Sequence, residues 1–114
     1  MQELSIAMSI VEMAQEEAES RGIRINAVRL KLGALTGIAK QALLSCYELA
    51  STGTPIAGSR LVVDEVPVIV FCPKCLGPRP LGSLQLFACP ECGTPTPQVL
   101  QGKELEVVAL EVAQ

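Results

Sequence analysis

The chain contains no histidine and no tryptophan, and its aromatic set is one tyrosine and two phenylalanines in 114 residues. Without an imidazole there is no histidine general base, and no zinc site can mix cysteine with histidine. Tyr47, Phe71 and Phe87 are too few and too scattered to build a base-stacking platform or an aromatic cage. A basic excess is missing as well. The 9 Lys and Arg against 12 Asp and Glu leave a formal net charge of -3, and the sequence pI of about 4.9 is the opposite of what phosphate neutralisation needs. No apolar run approaches the roughly 20 residues that span a bilayer, and no N-terminal stretch joins a basic start to an apolar h-region. A Walker-A pattern, a G-x-G-x-x-G turn and a Ser/His/Asp set are all absent. These absences lead us to expect a cytoplasmic protein that is not an enzyme and has no nucleic-acid or membrane partner.

What the chain does have is cysteine in a pattern. Phe71-Cys-Pro-Lys-Cys75 is answered by Ala88-Cys-Pro-Glu-Cys92-Gly93. Two C-P-x-C knuckles with residues 76–88 between them can bring Cys72, Cys75, Cys89 and Cys92 to one tetrahedral ion. In a reducing compartment this spacing points to metal ligands rather than disulfides. The set is complete, with no position left open for chemistry, so structural zinc is the expected occupant. An iron tetrathiolate and a redox dithiol pair are the alternatives that the Cys-Pro-Glu-Cys-Gly ending keeps in view. Lys74 and Lys103 could offset the charge of such a centre, although solvated surface is the plainer role for both. Cys46 stands apart, at an apolar helical position, and reads as a small core residue.

The rest of the chain organises around that centre. Leu4, Ala7, Met8, Val11, Ala14 and Ala18 recur at helical spacing, while Glu12, Glu16, Glu17 and Glu19 read as the solvated side, with Gly22 as the stop. Ile23 to Leu32 alternates as a strand whose phase slips near Asn26-Ala27. Thr36 is the expected N-cap of a second helix over about 38–50, with Ala39, Ala42, Leu43, Cys46, Leu49 and Ala50 facing inward. Leu61 to Val66 is a second strand. Beyond Pro67, residues 76–82 carry too much proline and glycine for a helix, and Leu84 to Phe87 reads as a short strand entering the second knuckle. Val99-Leu100 and 105–112 are strands joined by a turn at 101–103, the last returning to the first sheet. At this length one core must serve, and a metal substitutes for the core of the inserted part. The expectation is an α+β fold: a two-helix, three-stranded α/β lobe of residues 1–67 plus 102–114, and an inserted zinc-ribbon-like lobe of 68–101.

Taken together, Met1-Gln-Glu-Leu-Ser-Ile6, Val28-Arg-Leu-Lys-Leu-Gly33, Leu61-Val-Val-Asp-Glu-Val66 and the two CPxC pairs closely resemble the HypA/HybF family across essentially the whole chain. The resemblance implies a metallochaperone that helps insert nickel into nickel-iron hydrogenase, and in some organisms urease. It further implies a HypB-type GTPase and the hydrogenase large subunit as partners, with a monomeric or weakly dimeric protein. By resemblance Cys72, Cys75, Cys89 and Cys92 hold structural zinc, and transient nickel belongs to Met1, Gln2 and Glu3. The family places a histidine where this chain has Gln2, and an amide is a poorer Ni(II) ligand than an imidazole. The alternative reading is therefore a zinc-stabilised docking or scaffold subunit that has lost nickel binding.

Overall fold

In the computed structural model, which describes residues 2–113, the first helix, α1 (Glu3–Arg21), ends where the sequence stops it. Gly22 takes the left-handed conformation at φ 62° and ψ 39°, and the Ile23 N–H reaches back to the Ala18 carbonyl at 3.0 Å, the bond of a Schellman closure. Ala7, Ile10, Val11 and Ala14 are its buried face. Leu4 and Met8, expected inside, are exposed, Met8 by 56%. Ile10 takes the inward place instead, because the helix turns its Ala7, Val11, Ala14 side toward the sheet.

The strand β1 (Ile25–Gly33) is the centre of a three-stranded sheet in the order β2-β1-β6, with β2 spanning Arg60–Val66 and β6 Leu105–Val112. Ile25, Val28 and Leu30 all join the apolar cluster under α1. Their odd and even positions can share a face only if the strand changes phase between them, where the sequence slips. On the outward side Arg29 sits between acids of the two neighbouring strands, 3.2 Å from Asp64 and 3.0 Å from Glu111. Each of these acids favours the charged guanidinium, and Arg29 is held above its ordinary value by its hydrogen bonds to Glu111 and Asp64.

A short 3₁₀ turn (Ala34–Thr36) leads to α2 (Lys40–Ser51). Thr36 is not the N-cap. Its Oγ1 donates to the Gly33 carbonyl at 2.9 Å, closing the 3₁₀ turn, and Ala39 takes the cap position without a side-chain cap. The Ala39 N–H points instead at Glu3 Oε2, at 3.4 Å, a carboxylate where the helix dipole favours negative charge. The inward residues of α2 are Leu43, Tyr47 and Ser51. Ala42 and Leu49 lie outside, Leu49 66% exposed, because Tyr47 turns in to share a hydrogen bond of 2.7 Å with Ser59.

The second sheet has the order β4-β3-β5, from β3 (Ile69–Cys72), β4 (Gly77–Pro80) and β5 (Gln98–Gln101). Both pairings with β3 are antiparallel. β4 is a strand that the sequence hides, since Gly-Pro-Arg-Pro carries two residues without an N–H. It is possible because β4 is an edge strand and Pro78 and Pro80 share one side of it, opposite Phe71 and Ile69. Conversely, Leu84 to Phe87 is no strand. Only the isolated bridges Ser83–Leu86 and Ala88–Pro95 form there. A close backbone crossing completes this part: the Gly33 N–H bonds the Glu104 carbonyl at 2.7 Å and Leu35 N–H the Gly102 carbonyl at 2.8 Å. A Cβ built on Gly33 would lie 2.1 Å from Gly102 O, so no side chain fits there.

The chain divides into two compact units: one runs through Lys31, Gly37–Asp64 and from Glu106 onward, the other comprises Leu32–Thr36 and Glu65–Leu105. The first holds the apolar cluster of Ile10, Val11, Val28, Leu30, Leu43 and Leu61. In the second the buried set is small, with Leu32, Val68, Val70 and Thr96 beside Cys72 and Cys89.

Candidate metal centre

Cys72 closes β3 and is fully buried, as is Cys89 at the start of the second knuckle. Cys75 is exposed and Cys92 half-buried. Each knuckle is one tight turn. The Leu76 N–H returns to the Cys72 carbonyl at 2.8 Å and the Gly93 N–H to the Cys89 carbonyl at 2.9 Å. In both the residue after the second cysteine is left-handed, Gly93 at φ 77° and Leu76 at φ 57°. Among the described residues Leu76 is the one non-glycine with positive φ, which marks how strongly the turn demands it.

The turns aim the thiols at one point. The four Sγ atoms lie within 4.8 Å of one another, with Cys72 and Cys92 Sγ 3.5 Å apart across the knuckles. That separation is far too long for a disulfide and the five cysteines are free thiols. Zinc–sulfur bonds of about 2.3 Å put tetrahedral sulfurs roughly 3.8 Å apart, so the quartet fits such an ion with little movement. Backbone donors already point inward: Cys75 N–H lies 3.3 Å from Cys72 Sγ.

The electrostatics of the thiols are uneven. Hydrogen bonds to Cys92 and Cys72 push the Cys75 thiol up to about 12. The Thr94 hydroxyl, 3.2 Å from Cys92 Sγ, leads the groups that hold Cys92 down to about 6. Burial pushes Cys89 up, but the N–H groups of Cys92 and Glu91 outweigh it and leave Cys89 below its ordinary value. Cys72, Cys75, Cys89 and Cys92 would hold a divalent ion as thiolates, so binding one there would release protons.

One residue at the centre is invisible in the motif. Arg79, on β4, lies with Nε 2.8 Å from Glu91 Oε2 and with its side chain only 24% exposed. The contact is electrostatic, since Nε–H is not aligned for a hydrogen bond. Its Nη1 donates to the Pro78 carbonyl at 2.8 Å, and a hydrogen bond to Cys75 is the first cause that raises its pKa. The cation at the cysteines is thus Arg79, whereas Lys74 and Lys103 enter no ion pair among the described residues. The only hint of it was a charged residue between prolines.

Elsewhere, Cys46 packs half-buried against the apolar cluster of the first unit and is no part of the quartet. Among the described residues the helix glutamates do not converge on a cation site; Glu17 pairs with Arg21 at 3.8 Å. Gln2 is exposed and precedes α1 as its N-cap, without a side-chain cap. Glu3 opens the helix and faces the start of α2. Met1 lies outside the described residues.

The chain is 48% identical over 112 residues to the hydrogenase maturation factor HypA of Chloroflexus aurantiacus, covering 97% of this chain and 98% of that protein. The solution structure of the Ni metallochaperone HypA from Helicobacter pylori matches with a TM-score of 0.65 at 21% identity, over 98% of this chain and 97% of that one. A second solution structure of a HypA protein matches at 0.72 and 21%, over 99% and 97%. These two establish the shared fold. Residues 1–112 match the family model described as hydrogenase/urease nickel incorporation, metallochaperone, and the chain belongs to the HypA family.

Proposed function

We propose that this protein is a cytoplasmic hydrogenase maturation factor that passes nickel toward [NiFe] hydrogenase, with zinc held structurally by Cys72, Cys75, Cys89 and Cys92. The observation that carries the zinc reading is the convergence of four sulfurs from two matched turns. A closed all-thiolate set suits a borderline-soft ion and leaves it no open position, so the ion supplies architecture rather than chemistry. The thin core of the second unit supports the same reading: binding of order 10 to 16 kcal/mol, as in zinc-finger peptides, is ample to hold it together. Residues 68–101 then form the zinc lobe, and 1–67 with 102–114 the nickel lobe.

Nickel is the cargo, taken at Met1, Gln2 and Glu3. The terminal amine, backbone nitrogen and a carboxylate form a set suited to Ni(II), which favours nitrogen-rich planar coordination. The Gln2 amide adds little to that set, so binding is weak and transient until a partner completes it. A HypB-type GTPase and the hydrogenase large subunit are the partners that family membership supports. Titration calorimetry of the zinc-loaded protein tests the assignment: Gln2→His should tighten nickel binding at least about tenfold, or 1.4 kcal/mol, with zinc content unchanged. Equal affinity in the two proteins would remove the nickel site from the N-terminus and favour a docking subunit that carries no nickel.

A further inference from the structure

One edge of the first unit's sheet stands open. In the order β2-β1-β6, the strand β6 has β1 on one side and no strand on the other. Apart from that ladder, the backbone groups of residues 106–112 make no hydrogen bond among the described residues. The devices that commonly keep such an edge from pairing are missing, since β6 is 8 residues long and contains no lysine, proline or glycine. It is also apolar where it meets solvent. Val108 and Val112 are 44% and 39% exposed, and Val107 to Leu110 form, with Met13 and Glu17 of α1, a groove of about 420 Å³ beside the strand.

The glutamates decide what can add to this edge. Val107 and Leu110 pack toward the apolar cluster, so Glu106 takes the opposite face, where Glu111 meets Arg29 at 3.0 Å. Antiparallel pairing of β6 with a second β6 over its full length sets Glu106 opposite Glu111 at both ends, and like charges directly opposite are destabilising. Glu106 is exposed and enters no ion pair among the described residues. The edge therefore disfavours its own copy and calls for positive charge. A strand in which apolar residues alternate with lysine or arginine satisfies both faces at once, because side chains along a strand point alternately to its two sides. Its apolar side chains enter the groove beside Met13, and its cations lie with Glu106 and Glu111.

We propose that the open edge of β6 is a docking site for an extended segment of a partner protein, apolar residues alternating with basic ones, which adds to the sheet as a fourth strand. The test uses the full chain and a synthetic peptide as long as β6 that alternates valine with lysine. Two control peptides separate the contributions: one alternates valine with glutamate, and the other keeps the valine and lysine but is N-methylated along its pairing edge. Affinity comes from titration, and the binding place from amide resonances and amide hydrogen exchange. The valine-lysine peptide should slow exchange at alternate amides of residues 106–112 and shift Met13 and Glu17. The valine-glutamate peptide should bind about tenfold more weakly or worse, and N-methylation should remove binding. Glu106→Gln should weaken the valine-lysine peptide by about two- to fivefold. Val108→Lys should abolish its binding, with the amides of β1 still protected to show that the sheet is folded. Equal binding of the N-methylated peptide would reduce the contact to charge and overturn strand addition. Equal binding of the valine-glutamate peptide, or unslowed exchange in residues 106–112 with the valine-lysine peptide present, would also overturn the proposal. Protection of those amides in the protein alone, with a doubling of mass as its concentration rises, would make the occupant a second copy and overturn it too.

Discussion

The two knuckles share a turn and differ in how each is finished. Both close with an N–H returning four residues, at 2.8 and 2.9 Å, and both put the following residue at positive φ. The second ends in Gly93, which adopts that conformation freely, and its Cys92 is met by Thr94. The first ends in Leu76, 76% exposed, and its Cys75 is exposed. The second knuckle is thus relaxed in its backbone, whereas the first is strained. A left-handed leucine is retained although it costs about 1 to 2 kcal/mol. The turn geometry that delivers the sulfurs therefore outweighs local preference.

The largest break in this comparison should come from the sulfurs themselves. Cys89→Ser removes a buried ligand and should abolish zinc retention, with amide resonances of Glu65–Leu105 collapsing to unfolded shifts. The first unit, with its own apolar cluster, should keep its dispersion. Cys75→Ser, at the exposed corner, should leave a weakened but measurable zinc site. Equal zinc loss in the two variants would remove the asymmetry.

Exchanging the turn endings comes next. Gly93→Leu should lower the stability of the zinc form by about 1 to 2 kcal/mol, and Leu76→Gly should raise it by roughly 1 kcal/mol, both read from chemical denaturation. A Leu76→Gly protein no more stable than wild type would show that the leucine side chain contributes something its backbone strain conceals.

The smallest effect concerns Thr94. In the metal-free protein Cys92 titrates at about 6, below the ordinary thiol value near 8.5. Its thiolate therefore adds stability that is complete above the ordinary value and is lost as pH falls through about 6. Thr94→Val removes the leading cause, so the midpoint should rise and the thiolate population at pH 7 should fall. Thiolate absorbance against pH would show it. An unmoved midpoint would assign the shift to the Thr94 backbone donor and the neighbouring cysteines instead.

Much of this architecture could be read from residue order. The helix stop at Gly22, the phase slip of β1 near Asn26, and the return of residues 105–112 to the first sheet each follow from a local pattern with a physical cause. Other features escaped because a third partner decided them. Leu49 looked like a core residue until Tyr47 took the inward place to reach Ser59. Thr36 had the chemistry of a cap but spent its hydroxyl on Gly33. Pro78 and Pro80 argued against a strand, and only the edge position of β4 makes one possible.

The same division runs through the metal centre. Spacing alone determined which four residues would meet, because C-x-x-C turns carry their geometry within a few bonds of backbone and act wherever they fold. Absence alone determined that no histidine could join them. The tertiary structure decided what surrounds the sulfurs: which are buried, and that an arginine from an edge strand, rather than Lys74 or Lys103, stands at Glu91 of the second knuckle. Charge partners and burial depend on residues brought together by pairing β3 with β4, and no interval along the chain encodes that meeting.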